Sequence, residues 1–263
     1  MENSDKHVAS QFIFEKTSSI STYSSEAEWI EMSRQWLVRA FQKRYMYNFE
    51  FLGRPIIQSP IDMVAMQELI WEIKPDLIIE TGIAHGGSLI MHASMLALLD
   101  MCDAIESGVA LDPRLSRRKV LGIDIDIRAH NREAIGRHPM TSRIEMIEGS
   151  SIAPEVVDQV QRTAADFECV LVCLDSMHTH DHVLAELEAY APLVTPGSYC
   201  VVFDTIIEDM PENMFPDRPW GIGNNPKTAV WEYLKTHPEF EVDKSIQNKL
   251  LISVAPDGFL KRI

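Results

Sequence analysis

The sequence predicts an α/β fold, a doubly wound and Rossmann-like sheet of seven strands. From Asp76 onward, short apolar runs alternate strictly with stretches of helical period, an order typical of a parallel sheet with helices on both faces. The last two predicted strands are joined too closely for a helical crossover, so we expect them to form an antiparallel hairpin. A glycine-rich turn, Gly82 to Ser88, follows the first strand and leads into a helix, as at the ligand-binding edge of such sheets.

A helical annex that covers a pocket is predicted over residues 1–60, ahead of the domain formed by residues 61–263. Ser25 to Glu28 has the spacing of a capping box and leads into an amphipathic pattern that continues to Phe41. The aromatic, proline-bounded stretch over residues 45–60 is expected to be irregular; it either covers a pocket or packs as ordinary core. Asp62 is predicted to cap the next helix.

The predicted strands follow one another along the rest of the chain. Their bounds are 76–80, 119–126, 143–148, 168–175 and 198–204 for the parallel strands, with 240–243 and 249–254 for the hairpin. Asp126 is the predicted N-cap of the helix after the second strand, and Asn225 caps a helix with proline at its first position. Five alternating units closed by an antiparallel hairpin form the layout of class I methyltransferases, whereas dinucleotide dehydrogenases usually continue with parallel crossovers or a second domain.

The composition indicates one substantial core and a small-molecule partner. The chain has 263 residues, of which 46% are hydrophobic, and no linker rich in proline, glycine or serine divides it. Its 39 acidic and 24 basic residues give a net charge of -15. Because nucleic acids and most membrane surfaces are anionic, this charge disfavours both as partners.

Other features of the sequence favour a cytoplasmic protein with no membrane span. The four cysteines lack zinc-type spacing and are expected to be reduced packing residues. The N-terminus lacks a basic segment followed by an apolar one, and no run of about 18 apolar residues occurs. Trp29, Ile30, Trp36 and Leu37 need burial, either in a homo-oligomer or against the same chain.

The turn after the first strand favours S-adenosylmethionine (SAM) as the cofactor. Glycines allow a sharp turn and close approach to a ligand, and the helix that follows opens with free N–H groups. Glu80 beside this turn would repel a diphosphate, whereas it suits the ammonium and sulfonium groups of SAM, which has no phosphate. The alternative is an ordinary strand-to-helix turn.

Two further strand ends complete the predicted cofactor site. Asp124 is placed to accept hydrogen bonds from ribose hydroxyls, and the segment Gly149 to Ser151 could bond an adenine edge or serve as a plain turn. The predicted cofactor-binding residues are Glu80, Gly82, His85, Gly86, Ser88, Asp124, Gly149, Ser150, Ser151 and Asp175.

Asp175 and Asp204 end adjacent strands and are predicted to hold Mg²⁺, although each could instead cap a helix or bond a loop. His178 is the predicted general base, with Asp175 as the second catalytic residue, because a neutral imidazole can accept a proton from an acceptor hydroxyl. His180 and His182 are expected to be surface residues at a helix start. A rival interpretation combines His178, His182 and an acid into an iron-binding facial triad.

Three motifs, at residues 78–88, 178–187 and 218–230, together resemble the cephalosporin hydroxylase/rhamnosyl O-methyltransferase family. The resemblance covers the chain from about Tyr47 to the C-terminus and implies a class I methyltransferase that uses SAM, often with Mg²⁺, on sugars or other small metabolites. It assigns the cofactor to Glu80, Gly82, Ser88 and Asp124, and the metal to Asp175 and Asp204.

The chain departs from this family at Phe203, where relatives commonly have a second acidic or amide ligand, and this departure leaves the metal affinity and the need for a metal open. Glu208 or Asp209 could substitute for the ligand, and the alternative is that both are solvated loop acids. The predicted function is SAM-dependent methylation of a hydroxyl on a small acceptor, a deoxysugar of a natural product or glycan, assisted by a divalent metal. The alternatives are a non-haem iron hydroxylase, an NAD-dependent oxidoreductase, or a binding protein without turnover. The loop over residues 205–225 is predicted to be a lid over the acceptor. The identity of the acceptor and the oligomeric state are left open.

Overall fold

A computed structural model describes residues 2–263 of the chain. Its helices are α1 (Glu2–Tyr23), α2 (Ala27–Gln42), α3 (Pro60–Ile73), α4 (Gly87–Ser107), α5 (Ala129–Gly136), α6 (Pro154–Ala164), α7 (His180–Tyr190), α8 (Pro226–Tyr233) and α9 (Lys244–Leu250). Its strands are β1 (Phe49–Phe51), β2 (Arg54–Ile56), β3 (Leu77–Thr81), β4 (Lys119–Asp124), β5 (Ile144–Glu148), β6 (Val170–Leu174), β7 (Tyr199–Val202), β8 (Phe240–Val242) and β9 (Phe259–Arg262).

Seven strands form one sheet in the order β5-β4-β3-β6-β7-β9-β8, which confirms the predicted doubly wound layout. The strands from β3 to β7 run parallel, and β9 runs antiparallel to both of its neighbours. The order reverses between β3 and β6, because β4 and β5 extend to one side of β3 and β6 and β7 to the other. Ligands of such sheets bind at this reversal, outside the carboxyl ends of the strands.

Strand β3 is buried on both faces because helices cover the sheet from either side. Successive residues point to opposite faces, so Ile78 packs in one apolar cluster with Leu89 of α4, and Ile79 packs in the other with Leu187 of α7. All five residues of β3 are buried. Helix α4 is long and apolar enough to cross a membrane, but half of its most apolar stretch is buried inside the protein, as expected for a core helix.

The N-terminal region differs in several details from the prediction. Helix α1 was not expected from its polar sequence, and the residue before α2 is Glu26, which makes no capping hydrogen bond through its side chain. The stretch expected to be irregular contains a small antiparallel hairpin, β1 with β2. Asp62 does not cap α3; it lies inside the helix, fully buried, and accepts hydrogen bonds from Ser253 Oγ and the Val254 N–H.

The antiparallel C-terminal pairing is confirmed, but its second strand was placed wrongly. Residues 244–250 form α9, and the strand that pairs with β8 is β9, further along the chain. Apolar residues over 249–254 mimic a strand because short apolar runs do not distinguish a strand from a buried helix end. The Asp126 side chain does not cap α5, whereas Asn225 caps α8 in a complete capping box, as predicted.

Candidate active site

A cavity of about 620 Å³ opens at the carboxyl ends of β3, β4 and β6, where the sheet order reverses. Of the predicted site residues, its lining contains Gly82, His85, Ser88, Asp124, Ser150, Ser151, Asp175, His178 and Asp204. Residues from both halves of the sheet therefore meet in one space, as expected for acids and small residues placed at the ends of parallel strands.

The glycines of the turn are required by close backbone contacts. Gly82 has a φ of +92°, and a Cβ atom there would lie 2.7 Å from the carbonyl carbon of Asp175. Gly87 begins α4, and a Cβ atom there would lie 2.7 Å from Ile56 Cβ on β2. The turn is therefore packed between the end of β6 and the N-terminal hairpin, and larger residues would open the cavity wall.

Asp124 at the end of β4 fixes the same turn from the other side. Its Oδ2 accepts hydrogen bonds from the backbone N–H groups of Ile83, at 2.8 Å, and Ala84, at 3.1 Å. A carboxylate has about four lone-pair sites, so the group can still accept from a ligand hydroxyl in the cavity. The predicted ribose contact stays a prediction.

Glu80 does not line the cavity. Its side chain is 2% exposed, accepts a hydrogen bond from Ser88 Oγ and lies 2.9 Å from the Nδ1 atom of the fully buried His92. Ser88 and His92 are four residues apart on α4 and therefore face the sheet together. Glu80 therefore contacts the cavity wall only through Ser88, which lines the cavity. Gly86 and Gly149, which were also predicted to bind the cofactor, lie outside the lining.

A polar cluster that the sequence did not reveal borders the cavity beyond β5. His182 Nε2 lies 3.1 Å from Ser151 Oγ and 3.3 Å from Ser176 Oγ, and both hydroxyls donate to Glu186 Oε1. Glu186 is only 1% exposed. His182, expected at the surface, lines the cavity; the signal in the sequence is its spacing of four residues from Glu186 on α7.

The predicted metal and base residues form one cluster. Each of Asp175, His178 and Asp204 offers a ligand atom, and these atoms lie within 4.8 Å of one another. His178 Nε2 lies 3.2 Å from Asp204 Oδ2. Burial raises the pKa of Asp175 well above its usual value, and the nearby carboxylates of Asp204, Glu80 and Glu186 raise it further.

The two acids suggested as substitutes for the missing ligand are engaged elsewhere. Glu208 accepts hydrogen bonds from the Gly223 N–H and the Asn225 amide, and Asp209 pairs with Lys227 at 2.6 Å. Phe203 itself is buried in the core beneath the cluster. These contacts hold residues 205–225 over the site, and Trp220 of this loop packs edge-on against His178 with ring centres 4.8 Å apart.

His180 and His182 do not join the candidate metal cluster. The His180 ring contacts Thr228 Oγ1, at 2.9 Å, and Glu232 on α8, at 3.3 Å. The cluster has one histidine and two carboxylates, the reverse of the ratio in the facial triad of non-haem iron oxygenases.

A family model and curated relatives of this chain name the same family of proteins. The family model described as Rhamnosyl O-methyltransferase/CmcI matches residues 43–263. A rhamnosyl O-methyltransferase of Mycobacterium bovis is 30% identical over 218 residues, which are 81% of this chain and 77% of the relative. The Mycobacterium leprae protein of the same name is 29% identical over 233 residues, covering 86% of this chain and 90% of the relative.

Solved structures agree on the fold. The structure described as "cmcI-D160 Mg-SAM" is 19% identical, with a TM-score of 0.51, and the match covers 82% of this chain and 77% of that one. An apo structure of CmcI-N160 gives the same TM-score at 18% identity, with the same coverage. The sheet topology and these likenesses confirm the predicted class I methyltransferase fold. The match over residues 43–263 and the curated relatives show that this chain belongs to the rhamnosyl O-methyltransferase/CmcI family.

Proposed function

We propose that this protein transfers the methyl group of SAM to a hydroxyl of a sugar acceptor, with Mg²⁺ held by Asp175 and Asp204. The observation that carries the proposal is the single cavity that joins the glycine turn and Asp124 to the cluster of Asp175, His178 and Asp204. Family membership supports O-methyl transfer, and relatives named rhamnosyl O-methyltransferases support a sugar of a glycan or natural product as the acceptor. We place this reaction in the cytoplasm.

The cavity suits SAM better than a dinucleotide. Residues Gly82, Ser88 and Asp124 would hold the amino-acid and ribose parts, and Ser150 and Ser151 the adenine end. Within the described part of the chain, no arginine or lysine lines the cavity to balance a diphosphate, and Asp124 and Asp175 favour a ligand of positive charge. Glu80 adds negative potential from beneath the wall and makes no direct contact with the cavity.

The residues present also fit a divalent cation. Two carboxylates and an imidazole converge at one point, and the raised pKa of Asp175 is caused by burial and by neighbouring negative charges. A bound cation would offset both effects, because it stabilises the ionised carboxylate. Oxygen-rich sets with few protein ligands suit Mg²⁺, which usually keeps several waters.

His178 is placed to accept the proton of the acceptor hydroxyl. A neutral imidazole that donates its Nε2–H to Asp204 retains Nδ1 as a proton acceptor, and the carboxylate then stabilises the imidazolium. Trp220 packs against the ring and restricts its orientation. When bound, SAM supplies an electrophilic methyl group and Mg²⁺ lowers the pKa of a coordinated hydroxyl.

Calorimetry with SAM, and methyl transfer from radiolabelled SAM to sugars, test the proposal. We expect SAM to bind with and without Mg²⁺, and methyl transfer to fall in EDTA and return on addition of Mg²⁺. Asp204→Asn should raise the Mg²⁺ concentration needed for activity without changing SAM affinity, and Asp158→Asn, on the exposed face of α6, serves as the matched control. Tight NAD binding without SAM binding would overturn the proposal.

A further inference from the structure

A second, smaller cavity of about 310 Å³ adjoins the cofactor cavity on the side of the candidate metal cluster. The two cavities share Tyr47, Asp175, His178 and Asp204 in their linings. Small-molecule sites commonly measure ~300–1,000 Å³, so this inner cavity suits a single sugar ring. Aromatic side chains form much of its wall, and flat apolar rings pack well against the faces of sugars.

The inner cavity leads outward to a third space. An open groove of about 740 Å³ lies between the end of α2 and the loop over residues 205–225. Five side chains line both the inner cavity and this groove, and we call them the arginine collar: Phe41, Arg44, Tyr47, Phe215 and Arg218. An acceptor larger than one ring would therefore extend through the collar into the groove.

The charge of the collar is opposite to that of the protein. The guanidinium carbon of Arg44 lies over the Tyr47 ring, 4.4 Å from its centre, and that of Arg218 lies over the Trp220 ring, 5.1 Å from its centre. Among the described side chains, neither guanidinium forms an ion pair, unlike Arg118 and Arg143, which both pair with Asp100. Among the residues that the structure describes, no acid lines the outer groove, although the chain carries a net charge of -15.

We propose that the acceptor carries an anionic group, a carboxylate or a phosphate, next to the ring that is methylated, and that Arg44 and Arg218 bind this group at the collar. A planar guanidinium that packs over an aromatic ring can still direct N–H groups to such an oxyanion in a bidentate contact. The anion would then be separated from Asp175 and Asp204 by the sugar ring. The remainder of the acceptor occupies the outer groove. This inference rests on the proposed function, because it names the substrate class for the same site.

Three sugars that differ in charge test this assignment: glucose 1-phosphate, glucuronic acid and neutral glucose. Each is titrated calorimetrically into the protein loaded with S-adenosylhomocysteine and Mg²⁺, and each is offered as a methyl acceptor with radiolabelled SAM. We expect at least one anionic sugar to bind about tenfold or more tightly than glucose, as charge-assisted hydrogen bonds imply. The comparison of phosphate with carboxylate identifies the anion.

Substitutions test whether Arg44 and Arg218 cause the preference for anionic sugars. The double variant Arg44→Gln/Arg218→Gln should lose the preference for anionic sugars, by about tenfold in KM or Kd, while glucose binding and SAM affinity stay unchanged. Arg137→Gln, at an exposed arginine directly after α5 and outside all three spaces, is the matched control and should leave the preference intact. Arg44→Lys/Arg218→Lys keeps the charge and should retain part of the preference.

The outcomes separate this inference from the proposed function. If SAM does not bind, the proposed function fails, while the binding preference for anionic sugars is still measured on the free protein. If SAM binds but anionic sugars bind no better than glucose, or if the double variant weakens all three sugars equally, the anionic-acceptor inference is overturned and the arginines are packing residues only.

Discussion

Replacement of Gly82 by alanine should disable the cofactor site, because the added methyl group has no room between the glycine turn and the end of β6. The new Cβ atom would lie 2.7 Å from the carbonyl carbon of Asp175 and 3.1 Å from Ser176 Cα, both backbone atoms that cannot rotate away. Carbon atoms in contact prefer separations of ~3.5–4.0 Å, so the end of β6 and the glycine turn must separate by roughly 1 Å. Asp175 would move with its backbone.

Two costs add up in this variant. Alanine at a φ of +92° costs about 1–2 kcal/mol relative to glycine, and a forced backbone shift in a packed region costs about 1–3 kcal/mol more. A destabilisation of about 3 kcal/mol lowers Tm by about 6–12 °C in a domain of this size. Misplacement of a reacting group by about 1 Å can reduce the rate by about 10²-fold.

Thermal unfolding, calorimetry with SAM and a methyl-transfer assay below the Tm of the variant measure these effects. Gly136→Ala is the matched control, because Gly136 ends α5 and a Cβ atom there meets nothing within 4 Å. We expect that control to be as stable as the native protein or up to ~1 kcal/mol more stable. Native SAM affinity and Tm in Gly82→Ala would refute the close approach of the two strand ends.

Three further predictions concern single side chains. Burial raises the pKa of Asp62 from 3.8 to about 6, so ionisation of this carboxyl group destabilises the fold by about 3 kcal/mol as the pH rises from about 4 through 6. In urea unfolding, the native protein should lose about 3 kcal/mol of unfolding free energy relative to Asp62→Asn over this pH range, and a difference that does not change with pH would contradict the prediction. His178→Gln should lower kcat by about 10²–10⁴-fold with SAM affinity unchanged by calorimetry, whereas an unchanged rate would exclude it as the base. Lys227→Met removes the ion-pair partner of Asp209, which lies in the predicted lid over residues 205–225, and should raise KM for the acceptor more than KM for SAM in steady-state assays. Equal changes in both KM values would argue that this loop is not a lid over the acceptor.

The sequence predicted the parallel half of the fold well because each buried strand is a short apolar run that ends in an acid or a glycine. It was less informative where tertiary contacts override local pattern. Asp62 has the position of an N-cap, but the C-terminal segment supplies donors from Ser253 and Val254 that no local pattern reveals. The same segment was mistaken for a strand, although the side chain of Asp62, rather than a neighbouring strand, satisfies the Val254 N–H.

The sequence predicted the site residues that lie at strand ends and missed those whose contacts depend on tertiary packing. Asp175, His178 and Asp204 lie at or beyond strand ends, and the topology alone brings them to one edge. The cluster of His182, Ser151 and Glu186 was missed because it joins a loop after β5 to the inner face of α7. Such a contact depends on how α7 rotates about its axis, which the sequence indicates only through the spacing of His182 and Glu186.

Glu80 in β3 shows that whether an acid reaches the ligand depends on whether it lies inside the strand or at its end. It pairs in register with Gly122 and Cys173 one residue before β3 ends, so its side chain points at a face of the sheet and meets Ser88 and His92 under α4. Asp124, the last residue of β4, reaches the ligand edge instead. An acid inside the strand can act on a cationic cofactor only through its field and through the serine that it holds. The same field contributes to the raised pKa of Asp175, and it therefore favours positive charge in both halves of the cavity.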